Sequence, residues 1–213
     1  MTSVVGRRER KKQATRAALR EAALRLALRH GVENVTVEQI AEEADIALRT
    51  FFNYFSSKEE AVVASFSLAA EEITAQFRAR PRSESVLRAF REAVLVVMNE
   101  SDALSQRYVE ALQLIRQAPS LVPQQLAVLA AQQQTLAEAI AERVAPPRAG
   151  EMGIYPMVCA AAVLASLCVV LDRWLRETSG LDQLSAMTVL AQQFDAAIAE
   201  LTAGLDRPSL EER

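Results

Sequence analysis

Apolar residues recur at intervals of three and four along almost the whole 213-residue chain, and nowhere do they alternate with polar ones between turn signals. At 3.6 residues per turn that spacing puts them on one helical face, which dictates an all-α fold. Composition agrees. Six glycines are few for this length, too few for a turn-rich β fold, and the strong helix formers Ala, Leu, Glu, Gln and Arg dominate. Breaks fall at Gly31, Asp45, Pro81, Pro119, Pro123, Pro146, Pro147, Gly150 and Gly180, with about nine helices between them. The expected spans are 10–30, a short helix from 37, 48–55, 57–80, 84–99, 102–117, 124–144, 155–178 and 185–205. With 51% hydrophobic residues, the chain can bury a substantial core in one large or two small domains.

The same inventory excludes several classes of chemistry. There is one histidine, His30, directly before Gly31 at the end of a helical run, where it eases the helix dipole. No glycine-rich phosphate loop, Cys-x-x-Cys pair or nucleophile elbow is present. The expectation is therefore no enzyme, no cofactor and no metal. Cys159 and Cys168 lie nine residues apart in one apolar run, on opposite helical faces, so they are expected to be buried, free and reduced. The run Met157–Leu171 has fifteen residues without a charge, short of the ~20 that a bilayer span needs. The expectation is a helix buried on all sides, not a membrane segment. No basic-apolar-small signal pattern opens the chain, which points to the cytoplasm.

Charge is unevenly distributed. Residues 1–30 hold nine basic residues (Arg7, Arg8, Arg10, Lys11, Lys12, Arg16, Arg20, Arg25, Arg29) and only Glu9 and Glu21 as acids, a formal +7 in a chain whose total is −3. A basic head on an acidic body suits a polyanion partner at one end. A solvated basic tail would account for the same count.

The most informative stretch is Thr36–Val62, TVEQIAEEADIALRTFFNYFSSKEEAV. Thr36 with Gln39 forms a capping box that starts one short helix. Asp45 interrupts, and ALRTFFNYF resumes as a second, so the pair makes a helix-turn-helix. In the second helix Phe51 and Phe55 are four apart and face inward with Ile46, while Arg49 and Asn53 share another face. Arg can bond guanine bidentately, Asn can bond adenine, and a ring can meet a thymine methyl, all in a DNA major groove. Thr50, Tyr54 and Lys58 can bond phosphates and fix the register. The blander reading leaves Phe52 and Tyr54 in the core and Arg49 solvated.

On these residues the chain resembles the DNA-binding domain of TetR-family transcriptional regulators. The usual family pattern is Thr, Ile-Ala, Ala-Gly-Val-Ser, Thr-Leu-Tyr, Tyr-Phe and Lys-Glu, and the likeness covers about residues 10–65. It implies that Thr36 caps the first motif helix and touches a phosphate, and that Leu48, Arg49, Phe52 and Asn53 lie nearest the bases. Thr50, Tyr54 and Lys58 would hold phosphates. Arg7, Arg8, Lys11 and Lys12 would reach the backbone or minor groove. Three positions depart from the pattern. Asp45 stands in for the turn glycine, Ala47 for the serine, and Phe52 for the tyrosine. Asp tolerates the left-handed turn conformation, whereas Ala47 forgoes a helix cap worth about 1 kcal/mol.

The implied architecture is a basic flexible arm (1–9), a three-helix DNA-binding domain (10–56, motif about 36–55), a helical bundle for ligand binding and dimerisation (57–205) and a polar tail (206–213). The partners implied are a palindromic double-stranded operator, a second copy of the chain and a small-molecule effector. The function implied is a repressor released from its operator by an apolar or aromatic ligand. The rival is a helical small-molecule-binding or scaffold protein with a vestigial DNA head. The last two helices offer two apolar stripes for a four-helix dimer interface, Leu164, Leu167, Leu171 and Trp174 on one, Leu190, Phe194, Ile198 and Leu201 on the other. The same residues would also serve as monomer core. Met98, Tyr108, Leu112, Ile115, Met157 and Trp174 are the candidate pocket walls.

Overall fold

The computed structural model describes residues 6–100, 106–144, 153–178 and 182–204. Among them are nine α-helices and no strand: α1 (Arg7–His30), α2 (Val37–Glu43), α3 (Leu48–Phe51), α4 (Lys58–Ala79), α5 (Val86–Glu100), α6 (Gln106–Gln117), α7 (Val122–Arg143), α8 (Ile154–Glu177) and α9 (Gln183–Ala203). Short 3-10 helices at Val32–Asn34 and Pro119–Leu121 precede α2 and α7. The described residues fall into two compact units, one within Met1–Ala70 and Leu104–Ala130, the other within Glu71–Ala103 and Ala131–Arg213.

The first unit has one core. Leu19, Ala22, Ala23 and Leu26 of α1 meet Ile40 of α2, Phe51 and Phe55, Ala61–Ala64 of α4, Ile115 of α6, and Leu121. The expected boundary at residue 56 therefore moves. The buried cluster that holds Phe51 and Phe55 does not end with α3: it takes in the start of α4 and Ile115 of α6. The reading of residues 1–9 as a flexible arm changes for residues 7–9, because α1 begins at Arg7 and its first turn is closed by Arg10 N–H to the Gly6 carbonyl at 3.1 Å; residues 1–5 lie outside the described residues. At its other end Gly31, with φ of 77°, terminates α1 as expected, since a residue with a β-carbon is strained there.

In the second unit α8 packs along α9, and α5 packs on α9. Phe90 and Phe194 meet at 6.1 Å between ring centroids, Arg91 holds Asp195 through two bonds of 2.7 and 2.9 Å, and the Trp174 indole N–H donates to the Ala186 carbonyl at 2.6 Å. Arg143 at the end of α7 donates to the carbonyls of Arg80, Pro81 and Glu84 and lies over the Phe77 ring. That fastens the α4–α5 connection. Beside it, Arg80 bonds Glu84 and holds that carboxyl below its ordinary value.

Two expectations for this unit are corrected. Leu164, Trp174, Leu190, Phe194 and Ile198, named for the dimer interface, are buried within the single chain, Phe194 completely. They are covered within the chain, Leu164 to 8% and Ile198 to 7% exposure, whereas Leu167, Leu171 and Leu201 keep partial exposure. Nor is α8 buried on all sides. Ile154 (78% exposed), Val158 (57%) and Val169 (67%) stand in solvent on the face away from Ala160, Val163 and Trp174. Cys168 lies on that open side and is exposed, and Cys159 is half-buried, against the expectation of two buried thiols. By length and composition α8 is apolar enough to cross a bilayer.

Candidate nucleic-acid interface

The helix-turn-helix is built from its caps inward. The Thr36 hydroxyl accepts the Gln39 N–H at 3.3 Å, and the Gln39 side chain accepts the Thr36 N–H at 2.9 Å. This reciprocal pair satisfies two otherwise orphaned donors at the start of α2. Asp45 then takes φ of 54°, the left-handed conformation that reverses the chain in a tight turn, and Ile46 N–H bonds back to the Ala41 carbonyl at 2.9 Å. Ala47 opens α3 with extended backbone and no side-chain cap.

The reading helix is shorter than the expected 48–55. Regular α-helix covers Leu48–Phe51, and turns carry the chain on through Tyr54 by bonds from Asn53 to the Thr50 carbonyl (3.1 Å) and from Tyr54 to the Phe51 carbonyl (2.9 Å). The division of faces is as expected. Phe51 and Phe55 are buried, at 0% and 1% exposure, with ring centroids 5.8 Å apart. Arg49 and Asn53 are exposed, Phe52 is 56% exposed and Leu48 39%. Thr50 and Tyr54 are half-buried between the two faces. Phe52 sets its edge against Phe51, 5.5 Å away and nearly perpendicular, so an outward ring is braced by an inward one. A four-residue helix cannot hold itself; the two rings beneath it do.

Around this surface, Thr36 is exposed at the start of α2, and Arg7, Arg8, Lys11 and Lys12 are exposed on the first turns of α1. The basic residues there add to the positive end of a helix dipole. Two further side chains brace the head that the sequence alone did not single out. Arg25 of α1 binds Glu43 of α2 at 2.7 Å, and the Arg16 guanidinium lies 5.4 Å over the Phe55 ring. The only signal for either was an arginine on the polar side of α1.

Lys58, expected at a phosphate, also bonds within the chain. Its ammonium donates to the carbonyls of Val32 (2.9 Å), Val35 (2.8 Å) and Glu33 (3.4 Å). The candidate pocket residues are divided between the two units. Ile115 belongs to the first unit's core, and Leu112 is half-buried on the same helix. Trp174 is in the second unit's core, Met98 is half-buried on α5, and Met157 is 46% exposed on α8. The Tyr108 side chain lies outside the described residues.

Comparison with known proteins agrees with this geometry. Residues 19–64 match the family described as bacterial regulatory proteins, tetR family, and residues 84–206 match the MftR C-terminal domain. The HTH-type transcriptional regulator TcmR of Streptomyces glaucescens is 42% identical over 93 residues, covering 44% of this chain and 41% of TcmR. A Mycobacterium tuberculosis protein named as a mycofactocin biosynthesis transcriptional regulator, MftR, is 26% identical over 96% of each chain. Among solved structures, a complex of SmeT with triclosan has a TM-score of 0.58 at 18% identity, over 88% of this chain and 91% of that one; SmeT is the repressor of a Stenotrophomonas maltophilia multidrug efflux pump. The match at each end of the sequence, and the helix-turn-helix found where the first of them lies, lead to one conclusion: the chain belongs to the tetR family of bacterial regulatory proteins.

Proposed function

We propose that this DNA-binding transcriptional regulator acts as a homodimer on a palindromic operator and lets go of it when a small apolar or aromatic ligand binds. The observation that carries the DNA reading is the pair of faces on the reading segment, with Phe51 and Phe55 fully buried beneath exposed Arg49 and Asn53. Arg49 is assigned to guanine and Asn53 to adenine, with Phe52 against a thymine methyl. Thr36, Thr50 and Tyr54 are assigned to phosphates, and the basic start of α1 to the flanking backbone.

A second copy supplies the second reading segment, about 34 Å along the duplex. The exposed face of α8 is the support for dimerisation. Ile154, Val158, Ala165 and Val169 follow one another at spacings of four, seven and four, one continuous stripe on a helix. An isologous two-fold contact would cover it on both chains. Ligand release draws its support from the likeness to SmeT, which is solved with triclosan. α4 belongs to both units, with 58–70 in the first and 71–79 in the second, so it is the element through which a ligand would act on the head. To move the population from 1:99 to 99:1, that ligand must favour the released conformer by about 5.5 kcal/mol.

Selection of bound sequences from random DNA tests the reading. Wild-type protein should enrich a palindrome, and Arg49→Ala should lose preference at one base pair per half-site. No enrichment, or an unchanged preference in Arg49→Ala, would refute the assignment. Repeating the selection against a small-molecule panel tests the effector, and a compound class that abolishes enrichment is the expected result.

A further inference from the structure

The chain has three lysines, Lys11, Lys12 and Lys58, among 24 basic residues. Lys11 and Lys12 are exposed on α1. Lys58, the first residue of α4, is turned inward onto the 3-10 helix Val32–Asn34, where its ammonium meets three backbone carbonyls at 2.8–3.4 Å. The Val32 carbonyl also accepts the Val35 N–H of the 3-10 turn at 3.3 Å, so the ammonium adds a second bond to it. The Glu59 carboxylate, at 4.0 Å, is the nearest counter-charge. An ammonium has three donors, and here three acceptors converge on it. A planar guanidinium does not match that arrangement, which accounts for a lysine in a chain that uses arginine nearly everywhere else.

We infer that Lys58 is a positioning strut that ties the start of α4 to the entrance of the helix-turn-helix, and is not a phosphate ligand. The three carbonyls belong to Val32, Glu33 and Val35, and Thr36, the cap of α2, follows directly. A displacement of the first turn of α4 is thereby passed to the cap of α2, and from α2 through the Asp45 turn to the reading segment. Lys58 acts through backbone geometry and leaves the phosphates to other side chains.

Two measurements test this, and only the second rests on the DNA reading above. In the first, wild-type protein is acetylated with an amine reagent and the three lysines are followed by mass spectrometry, with and without duplex. Lys58 should react about ten-fold more slowly than Lys11 and Lys12 without DNA, the factor that one charge-assisted hydrogen bond imposes, and duplex should not change its rate. Lys58 reacting as fast as Lys11 in free protein and becoming protected by duplex would overturn the strut. In the second, Lys58→Met is titrated with the selected operator at several salt concentrations. The strut predicts weaker binding at every salt with the wild-type dependence on log salt. A phosphate ligand predicts a slope shallower by about 1.8 per dimer, 0.9 for each lost contact, and that result would also overturn the proposal. If wild-type protein binds no duplex, the operator reading fails while the acetylation rates in free protein still decide the role of Lys58. The acetylation arm uses wild-type protein, so it holds even if Lys58→Met does not fold.

Discussion

Replacing Ala47 with serine should make this protein more stable. Ala47 has φ of −60° and ψ of 139°, the extended backbone of a helix N-cap, and its carbonyl already accepts the N–H groups of Thr50 (2.7 Å) and Phe51 (3.2 Å). The cap lacks only a side-chain oxygen. A serine hydroxyl at that geometry can accept the Arg49 N–H, one of the donors left over at a helix start, and Ala-to-Ser exchange at N-caps is worth about 1 kcal/mol. If the first unit melts separately, that gain raises its midpoint by roughly 4–8 °C; if all 213 residues melt together, the rise is roughly 2–4 °C. The assay is thermal unfolding by circular dichroism at fixed protein concentration, because association shifts the midpoint by mass action. Ala47→Val, which offers no acceptor, is the control and should gain nothing. A serine variant melting at or below wild type would show that the start of α3 is not a working cap and would refute the account of how this short helix is held.

Further outcomes follow from the same contacts. Phe55→Ala removes a fully buried ring and should cost about 3–5 kcal/mol, seen as a large fall in the denaturant midpoint together with lost operator binding. Arg49→Ala should leave the melting curve unchanged and weaken operator binding by about 1–3 kcal/mol per half-site, with relaxed preference at one base pair. Val169→Glu, on the open face of α8, should yield a monomeric mass in sedimentation at micromolar concentration; an unchanged dimer would place the interface elsewhere. Arg80 holds the Glu84 carboxyl below its ordinary value, so the stability from that pair is present at neutral pH and lost as pH falls through the depressed value. Glu84→Gln should therefore lower stability at pH 7 and flatten its acid dependence, as read from denaturant midpoints between pH 3 and 7.

The parts of the molecule legible in the sequence are those set by local rules. The capping box at Thr36 and Gln39, the glycine stop at Gly31, the left-handed Asp45 and the inward pair Phe51 and Phe55 each depend on residues a few positions apart, and all are found in the structure. What the sequence did not disclose depends on distant partners. Lys58 reads as an exposed cation until the carbonyls of Val32 and Val35, more than twenty residues earlier, are seen to receive it. α8 is apolar around nearly its whole circumference, so periodicity could not say which side meets α9. The side carrying Leu164 and Trp174 is buried within the chain, and the side carrying Ile154 and Val169 is open. Helix ends moved by a few residues where prolines and short turns compete, as at Val122, which opens α7 two residues ahead of the expected start.

The 22 residues of α4 form one unbroken helix, and at 1.5 Å per residue it is a rod about 33 Å long. A rod converts rotation into travel. Its part in the first unit, from Lys58 to residue 70, is about 18 Å of that rod, and a tilt of about 10° pivoted at residue 70 carries Lys58 sideways by about 3 Å, roughly the reach of the bonds its ammonium makes. A small turn of that stretch is thereby brought to the scale on which those bonds are kept or broken.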